Sequence, residues 1–230
     1  MAGVLCSMVG ATFAPSGLVI TTVGNAQVDT AQSKFGGASA LFDGSGDHLR
    51  ANAVGVTASG NFTFEAQIRP ANTGTSYHVM SLTGNSGRWG LTVYQNGTTM
   101  RVYASSGSST WNIWNGVSIG TVATGAFYHV AVIRSGNTWY GSVNGTVTTI
   151  GTSSASLDTN GDIDIGAFVS TGGGIESFNG WIDEIRYSNS ARYTANFTAP
   201  TAAFTNDANT LLLIHADGTD GSTVFTDDNS

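Results

Sequence analysis

The chain has 230 residues, of which 10% are charged, and its 8 basic against 15 acidic side chains give a formal net charge of −7. Binding through phosphate neutralisation requires a basic surface, so we expect no nucleic acid as a partner. Because Cys6 is the only cysteine, core packing and not an intrachain disulfide must hold the fold. No apolar run is long enough for a membrane-spanning helix, and we expect no membrane insertion.

Short β-patterned runs separated by turns follow one another along the chain. Residues 1–17 are expected to form an N-terminal arm, and residues 18–230 a single domain. The 31 glycines and the lack of apolar residues at helical spacing favour strands joined by turns. About thirteen strands at intervals of roughly 8 to 15 residues predict an all-β fold of two antiparallel sheets, packed as a jelly-roll sandwich.

A hairpin at 127–145, FYHVAVIRSGNTWYGSVNG, is predicted to lie at the centre of this sandwich. Alternate residues of a strand face opposite sides, and both faces of 127–133 are largely apolar. That pattern predicts a mid-sheet strand with another layer over each face. Residues 192–200 are expected to run over the surface as a wrap.

The last predicted strand is TLLLIHA, at 210–216. It too is apolar on both faces, which predicts a core strand close to the C-terminal end. Such a strand needs neighbours along both edges to satisfy its backbone.

Six blocks in this order resemble the laminin-G-like domains of the concanavalin A-like lectin and glucanase superfamily, in particular those of bacteriophage virion and tail proteins. The resemblance covers residues 18–228. The blocks are KFGGASALFDGSGDHL, FTFEAQIRP, FYHVAVIRSGNTWYGSVNG, IDIGAF, FNGWIDEIRYSNSARYTANFTAP and TLLLIHADGTDGSTVFTDDNS.

The resemblance implies a jelly roll in which the C-terminal core strand is in permuted order, because the last block usually begins such a domain. The strand then either folds back within its own chain or completes a neighbouring copy in a homo-oligomer. The resemblance also implies a non-enzymatic virion structural protein, decorating a capsid or associated with a tail, whose partners are other virion proteins. A free carbohydrate-binding lectin module is the alternative, and a glycoside hydrolase the third.

A polar loop at 105–116 carries the candidate glycan site. Exposed aromatic faces stack on sugar rings, and amide side chains bind hydroxyl groups. We therefore expect Trp111, Trp114, Asn112 and Tyr103 to bind a cell-surface or environmental glycan. The alternative is that both tryptophans fold down as a lid over the sandwich.

Three aspartates in the C-terminal Gly-rich turn, Asp217, Asp220 and Asp227, are candidate ligands of a structural calcium ion, as the resemblance implies for this turn. The alternative is a turn in which each carboxylate binds its own backbone. No cofactor is required.

The sequence offers little support for catalysis. Retaining glycosidases need two carboxylates about 5 to 5.5 Å apart, which related enzymes supply as a triplet of acidic residues on one strand. Neither the pair Asp162 and Asp164 nor the pair Asp183 and Glu184 supplies that triplet. We therefore expect no enzyme.

Overall fold

The computed structural model describes residues 18–84, 90–107, 110–169 and 175–229, and within them the protein is built of strands without a helix. No described segment therefore has the length and apolarity of a membrane-crossing helix. The strands are β1 (Ile20–Val23), β2 (Gln27–Asp29), β3 (Ser39–Asp43), β4 (His48–Ala51), β5 (Phe62–Pro70), β6 (Ser76–Leu82), β7 (Leu91–Asn96), β8 (Thr99–Ala104), β9 (Trp114–Thr121), β10 (Tyr128–Ser135), β11 (Thr138–Val143), β12 (Thr146–Thr152), β13 (Ile163–Ile165), β14 (Ala167–Val169), β15 (Ile175–Ser177), β16 (Asn179–Ser188) and β17 (Thr210–Ile214).

Two sheets form the predicted sandwich. The first has nine strands in the order β1-β4-β13-β6-β7-β8-β9, and β14 and β15 join it beside β6. The second has eight strands in the order β12-β11-β10-β5-β16-β3-β2, and β17 also pairs with β16. The pairing is antiparallel except for one parallel bridge between Ser177 and His78. The expected all-β, two-sheet fold is confirmed.

The core lies between the sheets because residues along each long strand point alternately into the sandwich and away from it. In β5, Phe62 and Phe64 belong to the hydrophobic core, whereas Thr63 and Glu65 alternate with them and face the other way. In β7 and β8, Val93 and Val102 point inward by the same rule.

A third layer covers the outer face of the eight-stranded sheet. The ring of His129 on β10 lies 5.6 Å from Phe197 and 6.0 Å from Phe204, centroid to centroid, and His129 Nε2 bonds Glu65 at 2.9 Å. Burial alone would raise the pKa of Glu65, but the hydrogen bond to His129 and the charge of Arg186 outweigh it and lower that pKa. The segment after β16 is thus the expected wrap, and the central strand is covered on both faces.

The C-terminal strand β17 is pinned along both edges within its own chain. It pairs with the second half of β16, while β3 pairs with the first half of the same edge. On its other side, the N–H of Asp228 donates to the carbonyl of Leu213 at 2.7 Å, and Leu213 N–H donates to Asp227 Oδ1 at 3.0 Å. Val28 of β2 exchanges two backbone hydrogen bonds with 221–222, at 2.8 and 2.9 Å. In this structure the C-terminal strand thus folds back within its own chain.

Two local features depart from a simple interpretation of the sequence. The block IDIGAF at 163–168 forms two strands, because Gly166 between β13 and β14 has a φ of +82° and lies against the ring of Phe42, which leaves no room for a side chain. The polar loop predicted at 105–116 is shorter, because β9 begins at Trp114. Residues 1–17, expected to form an N-terminal arm, lie outside the described residues.

Candidate functional site

A pocket of about 230 Å³ opens on the outer face of the nine-stranded sheet. Three neighbouring strands form its floor, the segment between β8 and β9 gives one wall, and the hairpin β14–β15 gives another. Its lining residues are His78, Tyr94, Tyr103, Trp111, Phe168 and Glu176.

Strand alternation places the floor residues. Tyr94 and Tyr103 each follow a core valine, so they point away from the sandwich interior. His78 on β6 is paired with Tyr94 on β7, and a β-bulge directly after His78 lets the chain return Val79 and Met80 to the core. The pocket floor is thus held by regular sheet pairing.

The five rings of the pocket form a closed circuit. The ring centroids of successive neighbours are 4.6, 5.6, 5.4, 6.0 and 5.0 Å apart, in the order His78, Tyr94, Tyr103, Trp111, Phe168 and back to His78. Successive ring planes meet at angles from 30° to 87°. The rings therefore wall the pocket from several directions and do not form one flat platform.

A hydrogen-bond relay runs from the sheet to the pocket mouth. Ser81 Oγ donates to Thr92 Oγ1 at 2.9 Å, Thr92 Oγ1 lies 2.7 Å from His78 Nδ1, and His78 Nε2 lies 3.0 Å from Glu176 Oε2. Burial lowers the pKa of His78, which favours the neutral imidazole at pH 7. A neutral imidazole can donate a hydrogen bond to the Glu176 carboxylate only if Nε2 carries the proton. Nδ1 is then unprotonated and accepts a hydrogen bond from the Thr92 hydroxyl. The hydrogen bond from His78 lowers the pKa of Glu176, which is therefore ionised.

Thr92, His78 and Glu176 place a hydroxyl, an imidazole and a carboxylate in the same order as a catalytic triad. The hydroxyl, however, is inaccessible to a substrate. Thr92 is 0% exposed and Ser81 1% exposed, so neither can meet a substrate. Glu176, whose side chain is 64% exposed, is the group that the relay presents to a ligand. The relay is suited to orienting a carboxylate for binding.

The structure separates the four residues expected to bind a glycan. Tyr103 and Trp111 line the pocket. Trp114 instead packs on the hydrophobic core, with its ring 6.1 Å from that of the fully buried Trp139. Asn112 is exposed and secures its own loop, since its Oδ1 accepts from Ser106 N–H at 3.0 Å and its Nδ2 donates to Ser106 Oγ at 2.9 Å.

Sequence reasoning missed His78, Phe168 and Glu176. The strands that carry them are about ninety residues apart in sequence, and the pairing of β13 and β15 with β6 brings them together. A histidine within a buried strand, such as His78, has no sequence pattern that would predict its place in a pocket.

The three C-terminal aspartates do not converge. Asp220 accepts from the backbone and hydroxyl of Thr30 at 3.0 and 3.2 Å. Asp227 accepts from the N–H groups of Leu213 and Asn229. Asp217 lies against Gly36. The described residues contain no group of three His, Cys, Asp or Glu side chains that could hold a metal ion, so a calcium ion held by these three together does not fit.

The other carboxylates considered for catalysis also have structural partners. Asp164 forms a bidentate pair with Arg50 at 2.7 and 2.9 Å, and Asp162 accepts from Ala53 N–H at 2.9 Å. Asp183 accepts from two backbone N–H groups, at 2.7 and 3.1 Å, through Oδ2, while its Oδ1 has no partner among the described residues. Burial raises the pKa of Asp183 to about 7, and the nearby Glu184 adds to that shift.

Residues 43–196 match the model of the concanavalin A-like lectin/glucanases superfamily in its laminin-G form. Since the match covers more than half of the chain, the protein belongs to this superfamily. No match was found among curated proteins.

Solved structures share the fold at low sequence identity. A protein from Bacteroides ovatus assigned to carbohydrate binding has a TM-score of 0.59 at 17% identity, over 93% of this chain and 56% of its own. Domain 4 of an extracellular arabinanase from Geobacillus stearothermophilus, solved with arabinotriose, has a TM-score of 0.56 at 17% identity, over 75% of this chain and 82% of its own.

Botulinum neurotoxin type C enters cells in dependence on interaction with two ganglioside molecules. Its structure has a TM-score of 0.55 at 10% identity, over 76% of this chain and 44% of its own. The chain thus spans about half the length of the Bacteroides and neurotoxin structures that it matches. At these identities the likeness shows the fold alone.

Proposed function

We propose that this protein is a non-enzymatic carbohydrate-binding domain and that the aromatic pocket on its nine-stranded sheet is the glycan site. The observation that carries the proposal is the circuit of five rings around an oriented carboxylate. Aromatic rings contact the apolar C–H faces of sugars, and a carboxylate oxygen accepts hydrogen bonds from hydroxyl groups.

The dimensions of the pocket favour a small ligand group. Its volume of about 230 Å³ is below the range of roughly 300 to 1,000 Å³ of sites for drug-sized molecules, so it suits one sugar unit or a terminal substituent. We expect a single site of this size to bind weakly, and a millimolar affinity corresponds to about 4 kcal/mol. Useful adhesion then requires several copies, which supports display on an oligomer or a larger assembly.

The lining also supports a function without hydrolysis. Among the described residues, Glu176 is the one carboxylate in the pocket, whereas glycoside hydrolysis uses two that flank the scissile bond. Incubation with each glycan that is bound should release no reducing sugar. Turnover that Glu176→Gln abolishes would refute this part of the proposal.

Binding is tested by screening the protein on a glycan array and then by affinity electrophoresis on the polysaccharides retained. Trp111→Ala and Tyr103→Ala should each weaken retention at least tenfold, because each removes one wall of the pocket. Tyr140→Ala, a half-buried tyrosine on β11 of the other sheet, is the matched control and should bind like the wild type. Equal retention of all four proteins would show that the glycan binds elsewhere.

We also propose that the domain works on a bacteriophage particle, as a capsid decoration or tail-associated protein in contact with other virion proteins. The support is the resemblance of its six sequence blocks to domains of such proteins. A free lectin module is the alternative, and its support is the common fold of carbohydrate-binding structures. Genes for capsid and tail proteins beside this one would favour the virion, and genes for polysaccharide degradation would favour the free module.

A further inference from the structure

We infer that the pocket selects a positively charged group, the ammonium of an amino sugar or a quaternary ammonium substituent, over neutral and acidic sugars. The inference rests on the proposed glycan site and specifies its ligand class.

The arrangement of the rings is the first argument. Neighbouring ring centroids are 4.6 to 6.0 Å apart in a closed circuit. The centre of a regular pentagon with sides of this length is roughly 4 to 5 Å from each corner, inside the distance of about 6 Å from a ring centroid at which cation–π contacts occur. A flat sugar ring stacks best on one platform, whereas these rings meet at steep angles. A compact cation can contact several of them at once.

The charge of Glu176 is the second argument. The relay through His78 fixes its Oε2, and Oε1 has no hydrogen-bond partner among the described residues. Because the hydrogen bond from His78 lowers its pKa, the carboxylate is ionised at neutral pH. It therefore attracts a cation at the mouth of the pocket and repels a uronic or sialic acid.

No described lining residue cancels that charge. Burial lowers the pKa of His78, which keeps the ring neutral. Arg101, paired with Tyr94 across the sheet, keeps its positive charge, but it is outside the pocket lining and its Nη1 donates to the carbonyl of Gly116 at 2.8 Å. None of the described lining residues is a lysine or arginine. The net charge of −7 also favours a cationic ligand over an anionic one.

The test compares probes that differ in charge alone. Binding is measured by calorimetry and by NMR titration for choline and its uncharged isostere dimethylbutanol, and for glucosamine oligomers and their N-acetylated counterparts. The wild type should bind the charged member of at least one pair about fivefold or more tightly. The choline and glucosamine arms show whether the cation is a quaternary ammonium or an amino sugar.

Glu176→Gln keeps the shape of the side chain and removes the charge. It should lower affinity for the charged probe about fivefold and leave the uncharged probe unchanged, while Asp162→Asn, which removes a carboxylate at the start of β13, should alter neither. Equal affinity within both pairs, or an unchanged preference in Glu176→Gln, overturns the inference and leaves the glycan site standing. Binding of choline without retention of any glycan refutes the proposed function and leaves the cation site standing.

Discussion

Removal of the C-terminal strand tests whether β17 belongs to the core. Deleting residues 209–230 takes away Leu212, Leu213 and Ile214, which are at most 1% exposed. Burial of such a side chain stabilises by roughly 1.5 to 3 kcal/mol, so these three contribute about 5 to 9 kcal/mol. That is comparable with the whole stability of a typical domain, about 5 to 15 kcal/mol.

Thermal unfolding followed by circular dichroism and analytical ultracentrifugation is the assay. The truncated chain should show no cooperative transition, or should aggregate, because half of one edge of β16 is left unpaired. Leu212→Ala should cost about 2 to 5 kcal/mol, whereas the half-buried neighbour Leu211→Ala should cost distinctly less. A truncated protein that melts like the full chain would refute the assignment of β17 to the core.

Three further predictions concern single residues. Because folded Asp183 holds its proton up to a pKa of about 7 while the unfolded group loses it near 4, the wild type should lose stability as the pH rises between these values. In urea melts, the free energy of unfolding of the wild type should fall by roughly 3 kcal/mol more than that of Asp183→Asn between about pH 5 and pH 8. The same pH profile for both proteins would contradict the assigned burial. Trp114→Ala should lower the stability by about 3 kcal/mol and Trp111→Ala should leave the melting temperature nearly unchanged, so equal melting temperatures would place both tryptophans in one environment. At Gly116, where φ is +73° and a Cβ would lie 2.7 Å from the Tyr103 hydroxyl, Gly116→Ala should cost about 1 kcal/mol and weaken glycan retention by displacing Tyr103; unchanged melting and binding would show that the loop relaxes freely.

The strand pattern predicted most of the architecture because burial and alternation are local properties of a sequence. The 62–69 run alternates cleanly and became β5, and the doubly apolar run 127–133 became a central strand covered on both faces. Trp114 was misassigned for a physical reason. Its strand reads WNGVSIGT, and polar or glycine residues on the outer face of a strand resemble a loop in composition.

The candidate site was only half accessible to sequence reasoning. Trp111 and Tyr103 could be named because aromatics in or beside a polar loop are unusual. Glu176 and Phe168 reach the pocket through a hairpin docked on a strand far away in sequence, and no local pattern encodes that docking. The direction of the relay depends on tertiary contacts alone.

The closeness of the two ends of the described chain has a mechanical consequence. Leu18 N–H donates to Asp227 at 3.4 Å, Thr22 donates to the carbonyl of Thr223 at 2.7 Å, and Val28 exchanges two backbone bonds with 221–222. A force that pulls these ends apart would load the contacts one after another, as in unzipping, and would peel the C-terminal segment away at low force.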